Sequence, residues 1–312
     1  MATSSKKVIF AALIGNSLIA ITKFAAAAFT RSSAMLSEGI HSLVDTGNQV
    51  LLLYGLARSK KPADDNFPFG HGKELYFWSF VVAILIFAVG AGVSIYEGVR
   101  HILHPGPIKS PHVNYIVLGL AMVFEGGAWF VAWRAFRKHK GHRGYLRAVH
   151  EGKDPSMFVV LFEDSAAMLG LVVAFAGVML TDVTGILYFD GAASIVIGLI
   201  LGVTAAWLAY ETKSLLIGEA ANPEVVDCIR EIASGYPQIE HINEVLTMHM
   251  GPEYILVNLS VDFSDSTAVD QIEDIIAAID RRLKEKIPEV KRVFVEAESR
   301  QAPAAKKHQQ PH

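Results

Sequence analysis

His41 and Asp45 stand four residues apart in the run Ser37-Glu38-Gly39-Ile40-His41-Ser42-Leu43-Val44-Asp45-Thr46-Gly47-Asn48. On an α-helix that spacing puts the two about 40° apart and about 6 Å along the axis, on one face. An imidazole and a carboxylate so placed can grip one divalent cation. A second acidic point lies in Val159-Val160-Leu161-Phe162-Glu163-Asp164-Ser165-Ala166-Ala167. Glu163 and Asp164 are adjacent, so they point about 100° apart, and at most one aims straight at His41 and Asp45. Three or four nitrogen and oxygen ligands from two helices suit tetrahedral Zn²⁺. Carboxylates without sulfur suit Mn²⁺ or Fe²⁺ as well. Glu38 and Asn48 extend the polar stripe. They could orient the ligands from behind, line an entry path, or simply hydrogen-bond between helices.

Both acidic runs sit inside long apolar segments, and that is what makes them notable. A charged group at membrane depth costs about 2.5–3.5 kcal/mol on insertion scales, so such a group points to function. Of the 312 residues, 52% are hydrophobic, and mean hydropathy is +0.34. The excess lies before residue 218. Six segments reach the roughly 20 residues that a span needs: Val8–Thr30, Ser32–Ala57, Glu74–Ile102, His112–Phe136, Met157–Leu180 and Ile186–Leu216. Within them, Asp190 is near enough to a span end to cap it, and Lys23 is long enough to snorkel. Lys23, Glu125 and Asp190 receive no ligand role.

The Lys and Arg distribution orients the spans. Lys6, Lys7, Arg58, Lys60, Lys61, Lys73, Arg134, Arg137, Lys138, Lys140, Arg143, Arg147 and Lys153 fall on one side, and Arg31, Arg100 and Lys109 on the other. The positive-inside rule then puts both termini in the cytoplasm. The first apolar run exceeds a signal-peptide core, and no organelle presequence precedes it, so a bacterial inner membrane is expected. His139, His142 and His150 lie in a basic loop read as solvated and lipid-facing. A net charge of −3 implies no nucleic-acid partner, and the single Cys228 excludes a disulfide framework.

Past residue 218 the pattern is that of a soluble domain. Pro223–Ser234 reads as a helix with Asn222 as N-cap. Ile242–Met250 and Tyr254–Phe263 read as strands about a Gly251-Pro252 turn. A helix follows to Lys286, with Thr267 and Asp270 as a capping pair, and then a strand at Val293–Val295. The fold expected is a membrane all-α six-helix bundle plus a C-terminal cytoplasmic α+β domain of ferredoxin-like order, α-β-β-α-β. The bounds are 1–217 for the bundle, 218–299 for a dimerisation domain and 300–312 for a disordered tail.

Together these features resemble the cation diffusion facilitators, and within them the zinc transporter nine-like subgroup. The loop Pro62-Ala63-Asp64-Asp65-Asn66-Phe67-Pro68-Phe69-Gly70-His71-Gly72-Lys73 looks like the most recognisable cytoplasmic signature of that family. The resemblance implies a homodimeric carrier in a lipid bilayer that exports a divalent metal, usually zinc, in exchange for protons. The metal is substrate, and no cofactor is implied. It matches His41, Asp45 and Asp164 to the transport site. Val160 stands where zinc members usually carry a histidine, so Glu163, Asn48 or a water completes the set, with Glu163 preferred. Manganese or iron/cobalt export thereby becomes an alternative. Asp64 and His71 match a peripheral loop site that Phe67 leaves weak, and a hydrogen bond that holds the loop is the favoured use of His71. Leu259, Glu296 and Glu298 occupy the positions of bridging ligands in zinc-responsive relatives, so no binuclear site is expected there.

Two rivals belong to other classes. An intramembrane zinc protease would need a His-Glu-x-x-His run, and none occurs. A membrane-anchored metal sensor would need its ligands on the soluble domain rather than on two spans. The chain is therefore expected not to be an enzyme. No P-loop is present for phosphate-driven pumping.

Overall fold

The computed structural model describes residues 2–140, 144, 148, 149 and 152–300. His142, His150 and the tail from Gln301 onward lie outside the described residues. Two compact units emerge: residues through Lys61 with Glu74–Lys213, and Pro62–Lys73 with the residues from Ser214 on.

The first unit is built from long helices: α1 (Ala2–Thr30), α2 (Ser33–Ser59), α3 (Glu74–Leu103), α4 (Pro111–Lys140), α5 (Pro155–Thr184) and α6 (Tyr188–Ile217). Among the described residues, four (α3 to α6) are long and apolar enough to cross a membrane. The acidic and histidine stripe dilutes the apolar character of α2. Ser32 caps α2, its Oγ accepting from the Met35 N–H at 3.1 Å. Asp190, expected to cap its own helix, is buried and serves α2 instead. It accepts the Ser32 hydroxyl and the Ser33 N–H, each at 2.5 Å. A carboxylate at an exposed helix N-terminus is favoured by the macrodipole, and here it also joins α6 to α2.

Helices in lipid gain little from hydrophobic burial, so they associate through small residues that let backbones approach. α3 and α6 follow this rule. A Cβ at Gly98 would lie 2.7 Å from the Gly191 carbonyl oxygen, and one at Gly198 would lie 3.0 Å from that of Ala91. α3 makes this contact just past a π-helical turn, Ile86–Ala91.

The second unit comprises α7 (Pro223–Ser234), β1 (Ile239–Gly251), β2 (Tyr254–Phe263), α8 (Val269–Lys286) and β3 (Val290–Ala297). Its three-stranded sheet has the order β1-β2-β3, with β2 antiparallel to β1 and parallel to β3. A parallel pair needs a crossover, and α8 supplies it. Ile255, Val257, Leu259, Val261 and Phe263 alternate along β2 onto one face, where they pack with Ile229, Ile232, Ile275, Ile279 and Leu283 of the helices. The expected Thr267–Asp270 cap is not formed. The helix begins after Ala268, without a side-chain cap, and Asp270 turns its carboxylate to the neighbouring Gln271 N–H.

The α2–α3 loop belongs to this second unit. Asp64 folds it, accepting from the N–H groups of Asn66 and Phe67 and pairing with His71 Nε2 at 2.9 Å. Phe67, at the position a third ligand would occupy, lies against the His71 ring with centroids 4.5 Å apart. Gly72 presses on the β1–β2 turn so closely that a Cβ would collide with the Met250 carbonyl oxygen.

Gly198→Leu is expected to force α3 and α6 apart at a cost of about 1–3 kcal/mol, read as a lower unfolding midpoint in detergent. The His71 hydrogen bond, with help from backbone donors, holds the Asp64 carboxyl below its usual range. A depressed carboxylate adds stability above its unfolded pKa and loses it as pH falls through the folded one. Hydrogen-exchange protection of residues 62–73, corrected for intrinsic rates, should therefore hold at neutral pH and drop below about pH 4. In Asp64→Asn it should be low throughout.

Candidate cation site

On α2 the residues Glu38, His41, Asp45 and Asn48 recur at three- and four-residue spacing, which aligns them along one face. Glu38, His41 and Asn48 are buried. His41 Nδ1 stands 3.5 Å from Asp45 Oδ1. That is beyond a sound hydrogen bond, and among the described residues neither ring nitrogen of His41 has another partner. Asp45 Oδ1 and Asn48 Oδ1 are likewise buried without partners. An orphaned buried polar group costs about 1–3 kcal/mol, so four such atoms on one helix face call for a use.

The helix that faces them is α5. Asn48 Nδ2 donates to Glu163 Oε1. Asp45, Glu163 and Asp164 line one cavity of about 470 Å³, with Val160 from α5 and Glu125 from α4. Both Glu163 and Asp164 thus reach the cavity, although they are adjacent on the helix. His41 is not among its walls and stands behind Asp45. Among the described residues, no three His, Cys, Asp or Glu side chains converge closely enough to hold a metal ion.

Lys23 does not snorkel. Its side chain is fully buried, and its ammonium donates to Glu38 Oε2 at 3.0 Å, Ser42 Oγ at 2.8 Å and Glu125 Oε1 at 2.7 Å. In the sequence Lys23 and Glu125 are two separate polar points within spans, with nothing local to pair them. The available signal was two intramembrane charges of opposite sign, a combination that the cost of burial makes rare.

Asp64 and His71 pair with each other in the loop and are not walls of this cavity. In the C-terminal unit Leu259 is buried against the helices, Glu296 accepts from Asn258, and Glu298 accepts from Ser260. His249 is buried on β1 with Nδ1 3.3 Å from the Gly251 carbonyl oxygen.

Comparison with known proteins matches residues 9–217 to the cation efflux transmembrane domain and residues 221–300 to the cytoplasmic domain of cation efflux proteins. The human mitochondrial proton-coupled zinc antiporter SLC30A9 is 36% identical over 82% of this chain and 46% of its own length. Metal tolerance protein C4 of Arabidopsis thaliana is 28% identical over 85% of this chain and 58% of its own. The manganese efflux system protein MneP of Bacillus subtilis is 23% identical over 93% of this chain and 95% of its own. The chain spans about half the length of the first of these. With one family domain over most of its helical unit and a second over its α+β unit, the chain belongs to the cation efflux family.

Proposed function

We propose that the chain is a proton-coupled antiporter that exports a divalent cation, zinc foremost, and works as a homodimer in a lipid bilayer. The observation that carries this reading is the buried His41 imidazole. Among the described residues neither of its nitrogens is bonded, and it stands 3.5 Å from Asp45, which shares the cavity wall with Glu163 and Asp164. A neutral imidazole with carboxylates suits Zn²⁺, which enters as cargo. Asn48 orients Glu163 from behind, and Glu38 works on the same face through Lys23.

The ligands must shed protons to take a cation, so loading and proton release are linked. When the site opens toward an acidic side, protons return to the ligands and drive the cation off. Such exchange fits alternating access about a site near the bilayer midplane.

The architecture proposed around the site is a six-span bundle over residues 1–217, joined to a ferredoxin-like dimerisation domain over 218–299. Both termini lie in the cytoplasm, and the membrane is a bacterial inner membrane. The Lys and Arg asymmetry supports this orientation. A second reading keeps the site and changes the cargo. Val160 and four carboxylates wall the cavity, an oxygen-dominated set that favours Mn²⁺ more than a histidine-rich one would. The printed name of the Bacillus relative agrees with it.

In liposomes with an imposed pH gradient, zinc or manganese flux should follow the proton gradient and vanish in Asp45→Ala, while the variant stays folded. Wild-type flux in Asp45→Ala would overturn the assignment. Absence of flux for any metal in the wild type would favour a membrane-anchored sensor. Asp164→Ala should also abolish flux, and Asn48→Ala should reduce it by about tenfold, the loss expected when a group that orients a ligand is removed.

A further inference from the structure

The buried lysine holds two carboxylates that are not equivalent. Its ammonium has three N–H donors, and Glu38, Ser42 and Glu125 use all three. Each gives Lys23 one oxygen and keeps the other, Glu38 Oε1 and Glu125 Oε2, buried without a hydrogen-bond partner among the described residues. They differ in where they stand. Glu38 is not among the cavity walls, and its unbonded oxygen lies against α5, where a Cβ at Gly170 would be 2.6 Å from it. The Glu125 side chain is 16% exposed and forms part of the wall that also carries Asp45, Glu163 and Asp164.

We propose that Glu125 supplies a further carboxylate ligand to the divalent cation, and that Lys23 is a tethered competitor for it, holding Glu125 while the cavity is empty and yielding it when a cation enters. This rests on the reading of the cavity as a cation site. The charges support it. Four carboxylates around one low-dielectric cavity repel each other unless a cation or protons intervene. A lysine offers a compact point charge on a flexible stem, so it can release one partner and keep another, which a rigid bidentate arginine does less readily. A divalent cation in the same cavity attracts Glu125 with twice the charge of the ammonium. Lys23 remains bonded to Glu38 and Ser42 after the exchange, so no buried charge is left alone. Val160 supplies no ligand atom from α5, and Glu125 makes up the number from α4 instead. In this scheme Lys23 is a positioning residue and Glu125 a ligand.

The test is Zn²⁺ binding by the full chain in lipid nanodiscs, measured by competition with a chelating dye. Glu125→Gln should weaken binding by about tenfold or more, the loss expected from one charged ligand. The pair Lys23→Met with Glu38→Gln removes the competitor together with its fixed counter-charge, and should tighten binding by about fivefold. Adding Glu125→Gln to that pair should abolish the tightening. With Co²⁺ in place of Zn²⁺, the visible absorption of the bound ion should change in Glu125→Gln, which a purely structural role would not produce. Wild-type affinity and an unchanged spectrum in Glu125→Gln, with binding lost in Asp45→Ala, would overturn the proposal and leave the cation site standing. Wild-type affinity in Asp45→Ala would overturn both. If Glu125→Gln does not fold, Glu125→Asp keeps the charge and shortens the reach. Binding several-fold weaker then supports the proposal, and unchanged affinity overturns it.

Discussion

The organising constraint in the helical unit is that no charge can be left alone where water is absent. A lone ammonium in hydrocarbon would be prohibitive, whereas one with all three donors satisfied is tolerated. Lys23 therefore determines much around it. It draws α1, α2 and α4 to one point through Glu38, Ser42 and Glu125. That convergence places the α2 stripe where α5 can face it, and Asn48 then fixes Glu163. At the N-terminus of α2, Asp190 performs the same service with Ser32 and Ser33. The N-terminal half of the site helix is thus tied by buried polar contacts that tolerate little displacement.

Against these satisfied groups, the unsatisfied ones stand out. Lys23 is fully bonded, yet His41, next in the chain to its partner Ser42, has neither nitrogen paired among the described residues. The protein can satisfy deeply buried polar groups and has not done so there. The contrast within one helix bundle is a better pointer to a cation site than burial alone, because a core histidine kept for structure is normally hydrogen-bonded.

The sequence made the polar stripe on α2, the acidic pair on α5 and the element order of the α+β domain legible, because each depends on local periodicity. What it hid depends on which helices are neighbours. Lys23 and Glu125 are 102 residues apart, and Asp190 and Ser32 are 158 apart, so no local pattern pairs them. A long lysine side chain inside a span is compatible with snorkelling until the neighbouring helices are in place. The Thr267 cap failed for a smaller reason. The helix starts one residue later, with Ala268 at the N-cap, and the Thr267 N–H is spent on a turn to Ser264. Strand β3 extends beyond Val293–Val295 because pairing with β2 carries it from Val290 to Ala297.

The loop after α2 carries a consequence for how this protein can be divided. The boundary near residue 217 looks like a natural place to separate a transport unit from a soluble appendage. Yet Pro62–Lys73 belongs with the C-terminal residues, and Gly72 lies in backbone contact with the turn at Met250 and Gly251. That loop is the direct continuation of the helix bearing His41 and Asp45. A fragment ending at residue 217 would keep that loop and discard the turn it packs on, so a division of the chain has to follow the two units and not a single point in the sequence.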